Sequence, residues 1–227
     1  LIDYFSINIL IFSLICLFIS FLNIDYELII FSIIIISALS ILFNLKKFNF
    51  NILKENNYLI IFVVFCPIIT LDLIVNPKLE WDGHSWYFHA LNFYENFNNS
   101  NLTNTSYNHY PHLGGFMWSV YWKFSLVPNE VYGRIFYIII YVVGILSVSQ
   151  NFSKNILYNL IVSIFLIFIT YDRFLFGGYQ EYFMFSVILI LMNMFNKYHL
   201  KNLNYFQISF FIICSYLLVW IKNEGLL

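Results

Sequence analysis

Glu80-Trp81-Asp82-Gly83-His84 opens a polar stretch, Asn76 to His112, that is lodged between long apolar runs. Carboxylates and imidazoles are the side chains that exchange protons or hold divalent cations near neutral pH, so this is where chemistry can reach water. The stretch closes with His109-Tyr110-Pro111-His112, and Asp82 with these two histidines forms one candidate metal set. The same residues have plainer readings. Carboxylates at Glu80 and Asp82 suit the positive end of a following helix, and histidines on either side of a proline suit a loop.

Two other patches carry charge at the edge of an apolar run. Phe176-Gly177-Gly178-Tyr179-Gln180-Glu181 reads as a tight turn that delivers a carboxylate to the start of a helix, with Arg173 just ahead of it. Trp220-Ile221-Lys222-Asn223-Glu224-Gly225 ends another run with a cation and an anion. At the boundary of an apolar phase such groups are less costly than in its middle, and Lys222 could simply snorkel.

The elements that must position these patches follow from composition. Of 227 residues, 61% are hydrophobic, 22% aromatic and only 10% charged, with mean hydropathy +0.76, whereas charged residues are about a quarter of a soluble domain. An all-α, polytopic integral membrane protein is expected. A net charge of -1 argues against nucleic acid as a partner, because neutralising phosphates needs surplus Lys and Arg. Cys16, Cys66 and Cys214 lie in apolar runs without metal-ligand spacing and read as small core residues.

A spanning helix needs roughly 20 apolar residues, fewer where flanking groups snorkel. Phe5 to Leu22, Leu28 to Leu45, Tyr58 to Val75, Val131 to Ser149, Ile156 to Tyr171, Tyr182 to Phe195 and Tyr205 to Ile221 qualify, giving seven spans. Pro67 is expected to kink the third. Basic residues mark the cytoplasmic side. Lys46, Lys47, Lys54, Lys154, Lys197 and Lys201 fall in loops on one side, provided that Leu113 to Val127 does not cross. All twelve acidic residues except Asp3 and Glu55 then gather at the opposite, outer face.

Segment 113–127 is short for a span and carries Lys123, which predicts an interfacial or re-entrant segment with Trp118 and Trp122 at headgroup level. Within the outer loop 76–112, Trp86, Ala90, Phe93 and Phe97 recur at helical spacing, while His89, Asn92 and Glu95 are expected to point elsewhere. This predicts an amphipathic helix on the outer surface, capped by Ser85, with Glu80 and Asp82 just ahead of it.

The strings EWDGHSWYFHALNFYENF, HYPHLGGFMWS, GGYQEYF and WIKNEGLL, in that order and on one side, resemble bacterial membrane glycosyltransferases of the GT-C superfamily. The nearest likeness is to relatives of the dolichyl-phosphate-mannose protein mannosyltransferases, and the strings cover about a third of the chain. The resemblance implies transfer of a sugar from a polyprenyl-phosphate donor to a glycan, lipid or protein acceptor at the extracytoplasmic face of a bacterial inner membrane. It places the general base on Asp82, with Glu80 as the alternative, and the contact to the lipid phosphate on Lys222, with Arg173 second. Glu181, His84, His112 and Glu224 are further substrate contacts, and a divalent metal is a candidate cofactor. An adjacent pair of acids, common in the family, is missing, and residues 1–227 read as one incomplete transmembrane domain. A transporter or flippase-like permease, and an O-antigen ligase or polymerase, are the alternative readings. A transporter places charges near mid-membrane, often within internal repeats, whereas these apolar runs are nearly free of charge, show no repeat and gather their polar residues at one face.

Overall fold

Long runs of Ile, Leu, Phe and Val with little Gly or Pro satisfy their backbone groups most simply as helices. The computed structural model describes residues 2–21, 57–96, 111–125, 129–153, 155–172, 176–199 and 205–222, with positions 31, 35 and 127. Eight long helices and no strand occur among them. These are α1 (Ile2–Phe21), α2 (Asn57–Val75), α3 (Trp81–Asn96), α4 (Leu113–Lys123), α5 (Val131–Ser149), α6 (Ile156–Thr170), α7 (Glu181–His199) and α8 (Tyr205–Ile221). The protein is all-α. The predicted helix over 28–45 lies outside the described residues, and α2 continues through Pro67 without interruption.

Helix α5 forms the centre of the bundle, touching α1, α2, α4, α6 and α7. It is the one helix among the described residues that is long and apolar enough to cross a membrane by length and composition, and it is mostly buried. Core helices of soluble proteins pass the same measure. Apolar stretches of 10–17 residues lie in α1, α2, α6 and α8. The α5 core is aromatic. Tyr137 and Tyr141 are fully buried, and each satisfies its hydroxyl inside the bundle, as buried tyrosines must. Tyr137 donates to the Gly114 carbonyl at 3.0 Å and accepts from Gln180 at 2.9 Å. Tyr141 shares a hydrogen bond with Thr170 at 2.7 Å.

Polar side chains collect at the two ends of the bundle. At one end Asp3 accepts from Lys197 Nζ at 2.7 Å, Gln150 Nε2 at 2.7 Å and Asn193 Nδ2 at 3.1 Å, joining the start of α1 to the ends of α5 and α7. Asn151 adds a bond to Asn193 at 2.6 Å. At the other end lie the ends of α1, α2 and α8 and the starts of α3, α5 and α7. Helix α4 has 11 residues and is about 16 Å long, beginning beside Ser20 of α1 and reaching Phe12 of α1 at Tyr121. It is packed inside the protein, with every residue buried except Tyr121 and Lys123. Trp118 and Trp122, expected at a lipid headgroup boundary, are instead buried among protein side chains.

Candidate functional site

Arg134 organises the end of the bundle that carries the predicted site. It sits in the first turn of α5, fully buried, where an unpaired guanidinium would be prohibitively costly. Its planar fork of donors is used on four oxygens. Nη1 donates to the carbonyls of Lys78 and Phe176, both at 3.1 Å, and Nη2 donates to the Pro77 carbonyl and to Glu130 Oε1, both at 2.8 Å. The guanidinium also lies 5.8 Å from the Trp118 ring centroid, and the Trp118 indole N–H donates to the Glu130 carbonyl at 2.9 Å. One buried cation thus ties the start of the polar loop, the glycine turn and α4 to the central helix. In the sequence Arg134 is inconspicuous because it lies within an apolar run. A lone arginine in such a run was the available signal.

The loop is pinned to the turn a second time, through backbone. The Glu80 N–H donates to the Gly177 carbonyl at 3.0 Å. Gly83 lies so close that a Cβ there would stand 2.1 Å from the Gly177 oxygen. Gly178, at φ +105°, occupies the left-handed region that glycine enters without steric cost, and it lies against Gly83. The turn that leads into Glu181 and the residues on either side of Asp82 are therefore packed together.

Helix α3 begins at Trp81, four residues before the predicted cap, so Ser85 lies inside the helix and does not cap it. Asp82 falls in the first turn and is exposed, with its charge at the favourable end of the helix dipole. Glu80 immediately precedes the helix, and its carbonyl accepts the first-turn bond from the His84 N–H at 3.3 Å. His84 is exposed. Trp86, Ala90 and Phe93 form the expected buried stripe, whereas Phe97 lies outside the described residues. His89 departs from expectation. It is buried, with Gly115 of α4 packed on its Cβ. Asn92 is half-buried, and Glu95 is exposed.

Glu181 and Lys222 meet directly. Glu181 begins α7 and Lys222 follows the last residue of α8, the helix ends at which an anion and a cation are each favoured. Nζ and Oε1 are 2.5 Å apart, with the side chains 18% and 31% exposed for Lys222 and Glu181 respectively. Two of the three predicted patches are thereby joined, and the third adjoins them through the glycine turn.

His112, expected as a substrate or metal contact, is buried among aromatic side chains. Its ring lies 5.0 Å from Phe21, 5.4 Å from Trp220 and 6.0 Å from Phe93, centroid to centroid. The Ser20 hydroxyl donates to the Leu17 carbonyl at 2.6 Å, so the 2.7 Å contact between Ser20 Oγ and His112 Nε2 has the imidazole N–H as donor. Burial, with a smaller contribution from His89 nearby, holds the His112 pKa down to about 4. A neutral imidazole thus wedges the end of α1 against Trp220, two residues before Lys222.

Asp72 was not singled out from the sequence. It bonds the Tyr171 hydroxyl and accepts from Asn76 Nδ2 at 3.1 Å, which fastens the end of α2 to the end of α6. Arg173, Glu224 and His109 lie outside the described residues. Among the described residues no group of three or more His, Cys, Asp and Glu side chains could hold a metal ion. Compared with known proteins, the chain matches no protein-family model, no curated protein and no solved structure.

Proposed function

We propose that this chain belongs to a polytopic membrane glycosyltransferase of the GT-C type, which moves a sugar from a polyprenyl-phosphate donor to an acceptor hydroxyl at the extracytoplasmic face. The observation that carries the reading is the meeting of Glu181 with Lys222 at 2.5 Å, beside a turn that is hydrogen-bonded to the segment bearing Asp82. An exposed carboxylate and a partly buried ammonium at one end of an apolar bundle are suited to opposite sides of one displacement. Asp82 takes the proton of the acceptor hydroxyl, whose oxygen attacks the anomeric carbon. The bond from that carbon to the phosphate oxygen breaks with inversion, and Lys222 stabilises the negative charge on the departing lipid phosphate.

Membrane embedding is supported by what faces outward. Ile68 and Leu71 of α2, Phe165 and Phe168 of α6, and Ile212 and Ile213 of α8 are all exposed. Large apolar side chains over several helix faces exceed what a monomeric soluble protein leaves in water. Ion pairs lie at the ends of the bundle, Asp3 with Lys197 and Glu181 with Lys222. This favours chemistry at a boundary over a charge-lined transport path.

The test is turnover of a polyprenyl-phosphate sugar donor by the full-length protein carrying Asp82→Asn. The amide cannot accept the hydroxyl proton, and loss of about 10²-fold or more is expected for a general base. Unchanged turnover removes Asp82 from the mechanism.

A further inference from the structure

Helices α7 and α8 carry more than the Glu181–Lys222 pair. Between them lies a groove of about 380 Å³ bordered by Ile188, Met192 and Phe195 of α7 and by Phe211, Ser215 and Leu218 of α8. Its size falls in the range of about 300–1,000 Å³ typical of ligand sites. Apart from Ser215 and Asn196 its lining is apolar. Phe195 and Phe211 approach at 5.7 Å at the end remote from the ion pair. Lys222 lies four residues beyond Leu218, one helical turn or about 6 Å along α8. Glu181 lies seven residues before Ile188, about 10 Å along α7. The second oxygen of Glu181, Oε2, is buried and has no hydrogen-bond partner among the described residues.

We propose that this groove seats the isoprenoid chain of a polyprenyl phosphate, with the phosphate on Lys222 and the chain units nearest to it lying between Met192 and Ser215. The assignment rests on the lipid-linked donor reading above and specifies where that donor lies. A hydrocarbon chain matches an apolar groove in shape and chemistry, and an anionic head is drawn to the Lys222 ammonium one turn beyond its edge. In the resting structure Glu181 holds that ammonium. An arriving phosphate competes with the carboxylate for the same donors, so Glu181 sets how tightly the phosphate is held.

Binding of a long-chain polyprenyl phosphate to the purified full-length protein in nanodiscs tests this directly. Met192→Trp and Ser215→Trp fill the groove from different helices, and Ile164→Trp adds the same bulk on the exposed face of α6. Each groove variant is expected to weaken binding about tenfold or more, equivalent to at least about 1.4 kcal/mol, and Ile164→Trp to leave it unchanged. Glu181→Gln is expected to tighten binding, an effect that loss of structure would not produce. Unchanged affinity in both groove variants overturns the proposal. So does equal competition by phosphatidylglycerol, which would make the groove a general lipid contact, or a change of oligomeric state in the groove variants, which would assign it to a second copy of the chain. Groove-dependent binding without sugar transfer from the glycosylated donor supports the groove and overturns the glycosyltransferase reading alone.

Discussion

The backbone N–H of Glu80 donates to the carbonyl of Gly177 at 3.0 Å across nearly a hundred residues of chain. Through it and through Gly83, the residues on either side of Asp82 are held against the turn that delivers Glu181. A site assembled from two segments in this way depends on the residues that allow them to touch.

Gly83→Ala is expected to separate them. The added methyl would stand 2.1 Å from the Gly177 oxygen, a backbone atom that cannot turn aside. Overpacking of this kind costs about 1–3 kcal/mol. Hydrogen exchange is expected to rise at residues 80–84 and 176–180 while α7 and α8 keep their protection, and transfer activity is expected to fall. Unchanged exchange at both segments would contradict the contact.

Arg134→Met is expected to cost about 3–5 kcal/mol, because it leaves Glu130 as a partly buried, unpaired carboxylate. The carbonyls of Pro77, Lys78 and Phe176 lose their donor as well. Burial raises the Glu130 pKa, and the Arg134 charge and hydrogen bond oppose that rise. Arg134→Lys restores charge but not the fork and is expected to recover only part of the loss. Denaturant unfolding of the three proteins checks the order wild type, Lys, Met.

A double-mutant cycle on Glu181→Gln and Lys222→Gln is expected to give a coupling of about 1 kcal/mol or less, since both side chains retain contact with solvent. Activity is expected to divide differently. On the proposed mechanism, Lys222→Gln is expected to lower kcat through loss of a contact to the departing phosphate, and Glu181→Gln to act mainly on donor affinity. Equal losses of kcat in the two single variants would argue against a separate role for the lysine.

Stability is expected to fall on mild acidification because of His112. Its pKa is 6.5 in an ordinary setting and about 4 in the fold, so the unfolded chain binds the proton more readily. The neutral ring's contribution is therefore complete above about pH 6.5 and is lost as pH falls toward 4, by at most about 3 kcal/mol. His112→Phe is expected to flatten this part of the curve. Thermal unfolding between pH 4 and 7, compared between the two proteins, measures the difference.

Much of the helical framework can be read from the sequence because apolar runs end where the helices end. The run Val131 to Ser149 coincides with α5, and Tyr205 to Ile221 with α8. The buried stripe of Trp86, Ala90 and Phe93 is likewise periodic. What the sequence does not display are the contacts made between distant segments. The early start of α3 at Trp81 places Gly83, a poor helix former, in its first turn, and the close packing of that glycine on Gly177 supplies a reason that local preference lacks. His89 interrupts an apolar pattern, so only its packing on Gly115 reveals that it faces inward. Arg134 acquires its meaning from three carbonyls that lie 42 to 57 residues away.

The network at the opposite end bears on the order in which the molecule is made. Asp3 meets Lys197 across 194 residues, and its bonds to Gln150 and Asn193 span 147 and 190. During synthesis α1 therefore emerges long before the partners that fasten its start. It must wait, unanchored at that end, until α7 is complete. Helix α1 is made well before the residues that hold its start, so a defect at Asp3 would be expressed as a failure of assembly late in biogenesis.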